Sequence, residues 1–304
     1  MRMATIENVL TPAKSRRVHA PAGWWADQVA FIRRVVRVRG AGFGLAAVLF
    51  VLLVALLAGQ LSPYDPVAQD SGAILAGPSG AHLLGADELG RDVLSRLIWG
   101  ARPSLEAGAI SVSLALLLGI PMGLLAGYFG KWVDQVLMRL ADALWSFPGL
   151  VLALAVESIL GTGLVNAMVA IGVVYAPVFA RLVQAQTLSA KEEEYVTAAR
   201  SVGAGSVRIM VKHIWPNLVA PVAVQASMML GQAIIFEAAL SFLGLGVPPP
   251  DPAWGSMLRT AYQYMQLDPW YSLFPGTAIF MTVLGFNLLG DGIRQALDPR
   301  MRNG

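Results

Sequence analysis

Few side chains in this 304-residue chain are placed to do chemistry. Inside its long apolar runs the ionisable residues are Glu106, Arg139, Asp142, Glu157, Arg181 and Glu237. A charge at mid-bilayer costs at least about 2.5 kcal/mol, so such groups face a protein interior or a water path. Glu106, Arg139 and Arg181 lie near the ends of their runs, where a long side chain reaches the interface. Glu157 and Glu237 sit toward the outer halves of theirs, and either could line a path and meet a substrate amino group or pair within the bundle. Ser104, Ser111, Ser113 and Ser241 offer hydroxyls, but no histidine or lysine lies in the same runs to activate them, which argues against an intramembrane hydrolase. His19, His82 and His213 fall on separate segments and suggest no metal site. The chain has no Gly-x-x-x-x-Gly-Lys-Ser/Thr loop, no Gly-x-Ser-x-Gly elbow and no His-Glu-x-x-His pair, so it should not hydrolyse ATP by itself. Absence of cysteine removes disulfides, thiolate metal ligands and a cysteine nucleophile. Nothing resembles the side-chain rings of a passive channel.

The elements that hold these residues are set by composition. The chain is 56% hydrophobic and 13% charged, too little charge to cover a soluble protein of this size. A spanning helix needs roughly 20 predominantly apolar residues. Six stretches qualify: 41–61, 104–128, 137–160, 164–188, 218–243 and 273–289. The first is too long and too far from the N-terminus for a signal peptide, so it reads as a retained helix. Arg33, Arg34, Arg37 and Arg39 before it place the N-terminus in the cytoplasm, and six spans return the C-terminus there. Lys131, Lys191, Arg200, Arg208, Lys212, Arg294, Arg300 and Arg302 then fall on the inner side, with Arg91, Arg96 and Arg102 as outer exceptions. The net charge of +3 gathers beside apolar runs and forms no stripe for nucleic acid. The reading is an all-α polytopic membrane protein, with a cytoplasmic segment over 1–40 and a membrane domain over 41–304.

Several local expectations follow. Leu89, Val93 and Leu97 recur at helical spacing, which predicts a short interfacial helix before the second span. Pro121, Pro148 and Pro177 predict kinks or breaks. Trp254, Trp270 and Tyr271 read as an aromatic belt at the outer surface. The polar loop at about 189–217 reads as two short helices. Ser189 and Glu192 have capping-box spacing, Gly203 and Gly205 end the first helix, Ser206 begins the second, and Pro216 closes it. In the second, Val207, Met210, Val211 and Ile214 share one apolar face. Periodicity alone allows this pair either to dock on a partner or to rest on anionic lipid.

The residues of that loop carry a resemblance. The stretch Tyr195-Val196-Thr197-Ala198-Ala199-Arg200-Ser201-Val202-Gly203, followed by Ala204, Ser206 and His213-Ile214-Trp215-Pro216-Asn217, is similar to the "EAA" loop of ABC-importer permeases, with Thr197 where the family has Glu and Trp215 where it has Leu. Gly85-Ala86-Asp87-Glu88-Leu89-Gly90-Arg91-Asp92-Val93-Leu94-Ser95-Arg96, Glu237-Ala238-Ala239-Leu240-Ser241-Phe242-Leu243-Gly244-Leu245-Gly246 with Trp254-Gly255, and Asn287-Leu288-Leu289-Gly290-Asp291-Gly292 with Leu297-Asp298-Pro299-Arg300 narrow it to the C-type subunits of the dipeptide, oligopeptide and nickel group. The resemblance implies a type I importer fold in the bacterial inner membrane. It implies coupling to ATPases through Tyr195, Thr197, Ala198, Ala199, Arg200, Gly203, Ala204, Ser206, His213 and Pro216. It further implies a second, different permease subunit, two ATP-binding subunits that carry the ATP and Mg, an extracytoplasmic substrate-binding protein, and no cofactor on this chain. The solute it implies is a di- or oligopeptide, with glutathione or a nickel complex as the alternative.

Overall fold

The computed structural model describes residues 32–297. His19, Asp298, Pro299, Arg300, Arg302 and residues 1–31 of the 1–40 segment lie outside the described residues. Among the described residues the chain is helical. In order come α1 (Ala41–Leu56), α2 (Ala58–Leu61), α3 (Val93–Phe129), α4 (Lys131–Trp145), α5 (Gly149–Leu160), α6 (Leu164–Ala190), α7 (Glu194–Ser201), α8 (Ser206–Arg208), a π turn (Ile209–Ile214), α9 (Trp215–Phe242), α10 (Trp254–Gln263) and α11 (Pro269–Leu297). Four helical stretches are long and apolar enough to cross a membrane: α3, α6, α8 through α9, and α11. The pair α4 and α5 would make a fifth, but it is bent by 95°. Helix α1, at 16 residues, is apolar but short.

The framework is the seam between α3 and α6. Along α3 a small residue recurs every fourth position, at Ser111, Ala115, Gly119, Gly123 and Gly127, all buried. Opposite them on α6 stand Gly172, Ala176 and Ala180 at the same spacing. A methyl group on Gly119 would come within 2.6 Å of the Ala176 carbonyl oxygen, and one on Gly123 within 2.5 Å of that of Ala180. Where apolar chains gain little by leaving lipid, helices associate by such close backbone approach. Ser111 Oγ adds a hydrogen bond to the Met168 carbonyl (3.1 Å).

Three sequence expectations give way here. No separate interfacial helix precedes the second span: Asp92 caps α3 by accepting from the Ser95 N–H (2.8 Å) and Ser95 Oγ (2.6 Å), and the helix then runs unbroken for 37 residues through Pro103 and Pro121. At 1.5 Å per residue that is about 55 Å, well beyond the roughly 30 Å hydrocarbon core. Helix α6 likewise continues through Pro177. Of the three prolines only Pro148 marks a break, because it stands at the N-cap of α5.

The aromatic belt also dissolves. Trp254 and Tyr271 are buried, and only Trp270 is exposed. Trp254 Nε1 donates to the Leu97 carbonyl (2.9 Å) and Tyr271 Oη to Glu88 Oε2 (3.3 Å), so both tie α10 and α11 to the segment before and within α3. That segment, residues 62–92, forms a cap with an ionic core. Asp87 is buried and takes Arg91 Nε at 2.6 Å, while Arg96 Nε lies 3.3 Å away without hydrogen-bond alignment. Arg96 Nη1 reaches the carbonyls of Pro66 (2.8 Å) and Pro250 (3.3 Å), which knits the cap to the α9–α10 connection.

Candidate functional site

At the end of the bundle opposite the cap, α6 runs through Ala190 and therefore absorbs Ser189, so the expected capping box at Ser189 and Glu192 does not start a helix. Helix α7 begins at Glu194 instead and turns its buried side, Val196 and Ala199, onto the bundle. It ends in a Schellman motif: the Gly203 N–H bonds the Arg200 carbonyl (2.9 Å) and the Ala204 N–H the Ala199 carbonyl (3.0 Å), with Gly203 at φ 79°. That left-handed conformation suits glycine because it has no Cβ.

The next expectation fails for a geometric reason. Pro216 does not close a second helix, because the chain passes from Ser206 through the π turn into α9 with Pro216 in its first turn, where a missing N–H is tolerated. The π turn bonds i to i+5, which brings Ile209 and Ile214 to one side. Ile209, Met210 and Ile214 are buried, while Val207 and Val211 face out at 70% and 59% exposure. The expected single apolar face is thus split into one that packs and one that is bare. Val202 is 85% exposed, and Thr197, Ala198, Arg200 and Gly203 are exposed as well. His213 is half-buried and Pro216 exposed.

This tip is fastened to two spans. Lys191 Nζ donates to the Gly127 carbonyl (3.0 Å), the last small residue of the α3 seam. The Arg200 guanidinium lies 5.5 Å from the Tyr128 ring centre. Asn217 Nδ2, at the start of α9, donates to Tyr195 Oη (3.1 Å) and to the His213 carbonyl (2.9 Å). Nearby, Gln184 bonds Asp134, and Arg181 pairs with Asp142.

Glu157 and Glu237 are both fully buried and are not brought together. Glu237 accepts from Ser104 Oγ (3.1 Å) and Ser241 Oγ (3.0 Å), joining α9 to α3. Both Glu157 carboxylate oxygens are buried without a hydrogen-bond partner among the described residues, and the Gly163 N–H donates to the Leu245 carbonyl (3.3 Å). Neither lines the open cavity of about 440 Å³ bounded by α6, α9 and α11, which instead carries Tyr175, Gln225, Gln232, Asn287 and Asp291. Asn287 and Asp291 fall in a stretch that carries the family resemblance, whereas Gln225 and Gln232 are neutral and no charge marks them in the sequence. Their spacing, seven residues on α9 and four on α11, places each pair on one helix face.

Two family models match, one described as a binding-protein-dependent transport system inner membrane component over residues 119–303, the other as the N-terminal transmembrane domain of oligopeptide transport permease C over residues 28–78. The chain belongs to the family of binding-protein-dependent inner membrane transport components. Among relatives of this transport family, the glutathione transport system permease protein GsiD of Pectobacterium atrosepticum is 47% identical over 90% of this chain and 91% of its own length. The dipeptide permease protein DppC of Alkalihalophilus pseudofirmus is 44% identical over 86% of each chain. The di/tripeptide permease protein DppC of Pseudomonas aeruginosa is 45% identical over 87% of this chain and 89% of its own length. A solved structure of the MetNI methionine ABC transporter in an inward-facing conformation shares the fold at TM-score 0.55 and 20% identity, covering 67% of this chain and 98% of that one.

Proposed function

We propose that this chain is one of two different permease subunits of an ATP-driven importer that carries di- and oligopeptides, or peptide-like solutes such as glutathione, into the bacterial cytoplasm. The observation that carries the mechanism is the tip formed by α7 and the π turn. It presents bare apolar side chains, Val202, Val207 and Val211, yet is fastened to α3 through Lys191 and Arg200 and to α9 through Asn217. A rigidly held apolar projection is what a cleft on a separate ATPase subunit can grip and move. The identity to dipeptide and glutathione permeases along most of the chain supports the solute class.

In this reading α1 with α2, and α4 with α5, complete six spans. The arginines before α1 put the tip in the cytoplasm and the cap outside, facing a substrate-binding protein. ATP and Mg bind two ATPase subunits and not this chain. Closure of the ATPases draws this tip toward its counterpart on the second permease, and only contacts that differ between nucleotide states can drive that change.

The test is affinity purification of the tagged chain from its native membrane, with ATPase activity assayed with and without peptide-loaded binding protein. A second permease and ATPase subunits should co-purify and show stimulated turnover. Gly203→Val, which forces a β-branched residue into a left-handed conformation, should abolish peptide uptake while the chain still inserts. A chain that purifies alone, or a Gly203→Val complex with normal uptake, would sink the docking role.

A further inference from the structure

The cavity bounded by α6, α9 and α11 has features that packing does not account for. Tyr175 is 7% exposed, and its hydroxyl has no hydrogen-bond partner. Its ring is held by Phe236, whose centroid is 5.3 Å away. A buried hydroxyl left unpaired costs free energy and calls for an explanation, such as a water or a solute that it meets. The Tyr175 side chain borders the same space as two glutamines, an asparagine and an aspartate. Met228 and Met229 fill the wall between the glutamines, supplying flexible, polarisable surface that adapts to varied side chains. The larger cavity near the cap, about 790 Å³, differs in that its cation is already spent: Arg102 Nε bonds the Ala55 carbonyl (2.7 Å) and the guanidinium stacks over Trp99 (4.4 Å).

Side-chain amides can donate to and accept from peptide groups without preference for sequence, and a carboxylate can pair with an ammonium. Asn287 and Asp291 are one turn apart on α11, and Gln225 and Gln232 two turns apart on α9, so the polar groups are strung along the helix axes. We propose that this cavity is a solute-contact site for short peptides and γ-glutamyl peptides with a free amino group. In it, Asp291 takes the ammonium, Gln225, Gln232 and Asn287 take the amide groups, and the Tyr175 hydroxyl takes a carbonyl or carboxylate oxygen. The inference rests on the importer reading and deepens it.

The experiment uses the complete importer in liposomes, with saturating peptide-loaded binding protein, so that loading of that protein does not limit the comparison. Asp291→Asn and Tyr175→Phe are compared with the unaltered complex, and assembly is checked by co-purification. Each variant should lower dipeptide uptake roughly tenfold, the scale of one lost hydrogen bond to a solute. Asp291→Asn should penalise a dipeptide with a free amino group more than its N-acetyl derivative. Tyr175→Phe removes an unpaired buried hydroxyl, so a purely structural role predicts equal or higher thermal stability with unchanged uptake. If the unaltered complex transports and Tyr175→Phe stays within twofold of it, the inference is overturned and the importer reading stands. If the unaltered complex shows no ATP-driven uptake, both fall.

Discussion

At the scale of single residues, two carboxylates and one glycine separate what the sequence announces from what it conceals. Glu157 and Glu237 stand out in a run of apolar letters, yet the sequence cannot say that Glu237 meets Ser104, 133 positions away. The structure gives that carboxylate two hydroxyl donors, Ser104 on α3 and Ser241 on α9, so it links the two helices. Glu237→Gln keeps a polar group of the same shape and should change the apparent melting temperature in detergent little. Glu237→Leu should lower stability by about 1–3 kcal/mol by stranding the two serine hydroxyls in a dry interior. Equal stability of the two variants would contradict that link. Gly203 was legible because a glycine after a polar helical stretch is a usual stop signal, and its φ of 79° bears that out. No atom lies within 4 Å of a Cβ added there, so conformation and not crowding sets the penalty. Gly203→Asn, which tolerates the left-handed region, should therefore retain most of the uptake that Gly203→Val loses.

At the scale of elements, four of the six apolar runs became helices long enough to cross a membrane, while the first became a 16-residue helix and the third a pair bent by 95°. Hydropathy does not register a break at Trp145–Gly149 or a helix that continues into the cap, because both depend on capping and tertiary contacts. Asp92 fixes the start of α3 through Ser95, and Ser95 Oγ in turn accepts from the Tyr64 N–H of the segment 62–92 (3.1 Å). The π turn was equally hidden: the count of Val207, Met210, Val211 and Ile214 assumed 3.6 residues per turn, whereas Ile209 and Ile214 align only with i to i+5 bonding. The seam of α3 is present in the letters as a small residue every fourth position, a pattern that neither length nor charge reveals. It carries the sharpest prediction at this scale. Gly123→Val should disrupt packing against Ala180 and Val183 by several kcal/mol, read as loss of folded protein on size-exclusion chromatography, because the added carbon meets backbone and not a flexible side-chain end. A fully stable Gly123→Val protein would show that the seam opens easily.

At the scale of the whole molecule, α3 is one stiff member that reaches from the cap to the tip. Its first turn is held by Asp92 and Arg96, its last by Lys191 through the Gly127 carbonyl. Removing Arg96 leaves Asp87, buried, with Arg91 as its remaining ionic partner among the described residues. Arg96→Met should expose residues 62–92 to limited proteolysis and destabilise the protein by about 3 kcal/mol or more. An unchanged digestion pattern would mean that the cap stands without that anchor. The small-residue seam also bears on how such chains can diverge. A residue inserted or lost within the cap shifts a loop, but one inserted or lost between Ser111 and Gly127 turns every later side chain by about 100° and brings bulky neighbours against α6. Length variation among descendants of this chain should therefore accumulate on the cap, while the distance from Ser111 to Gly127 stays counted in whole steps of four.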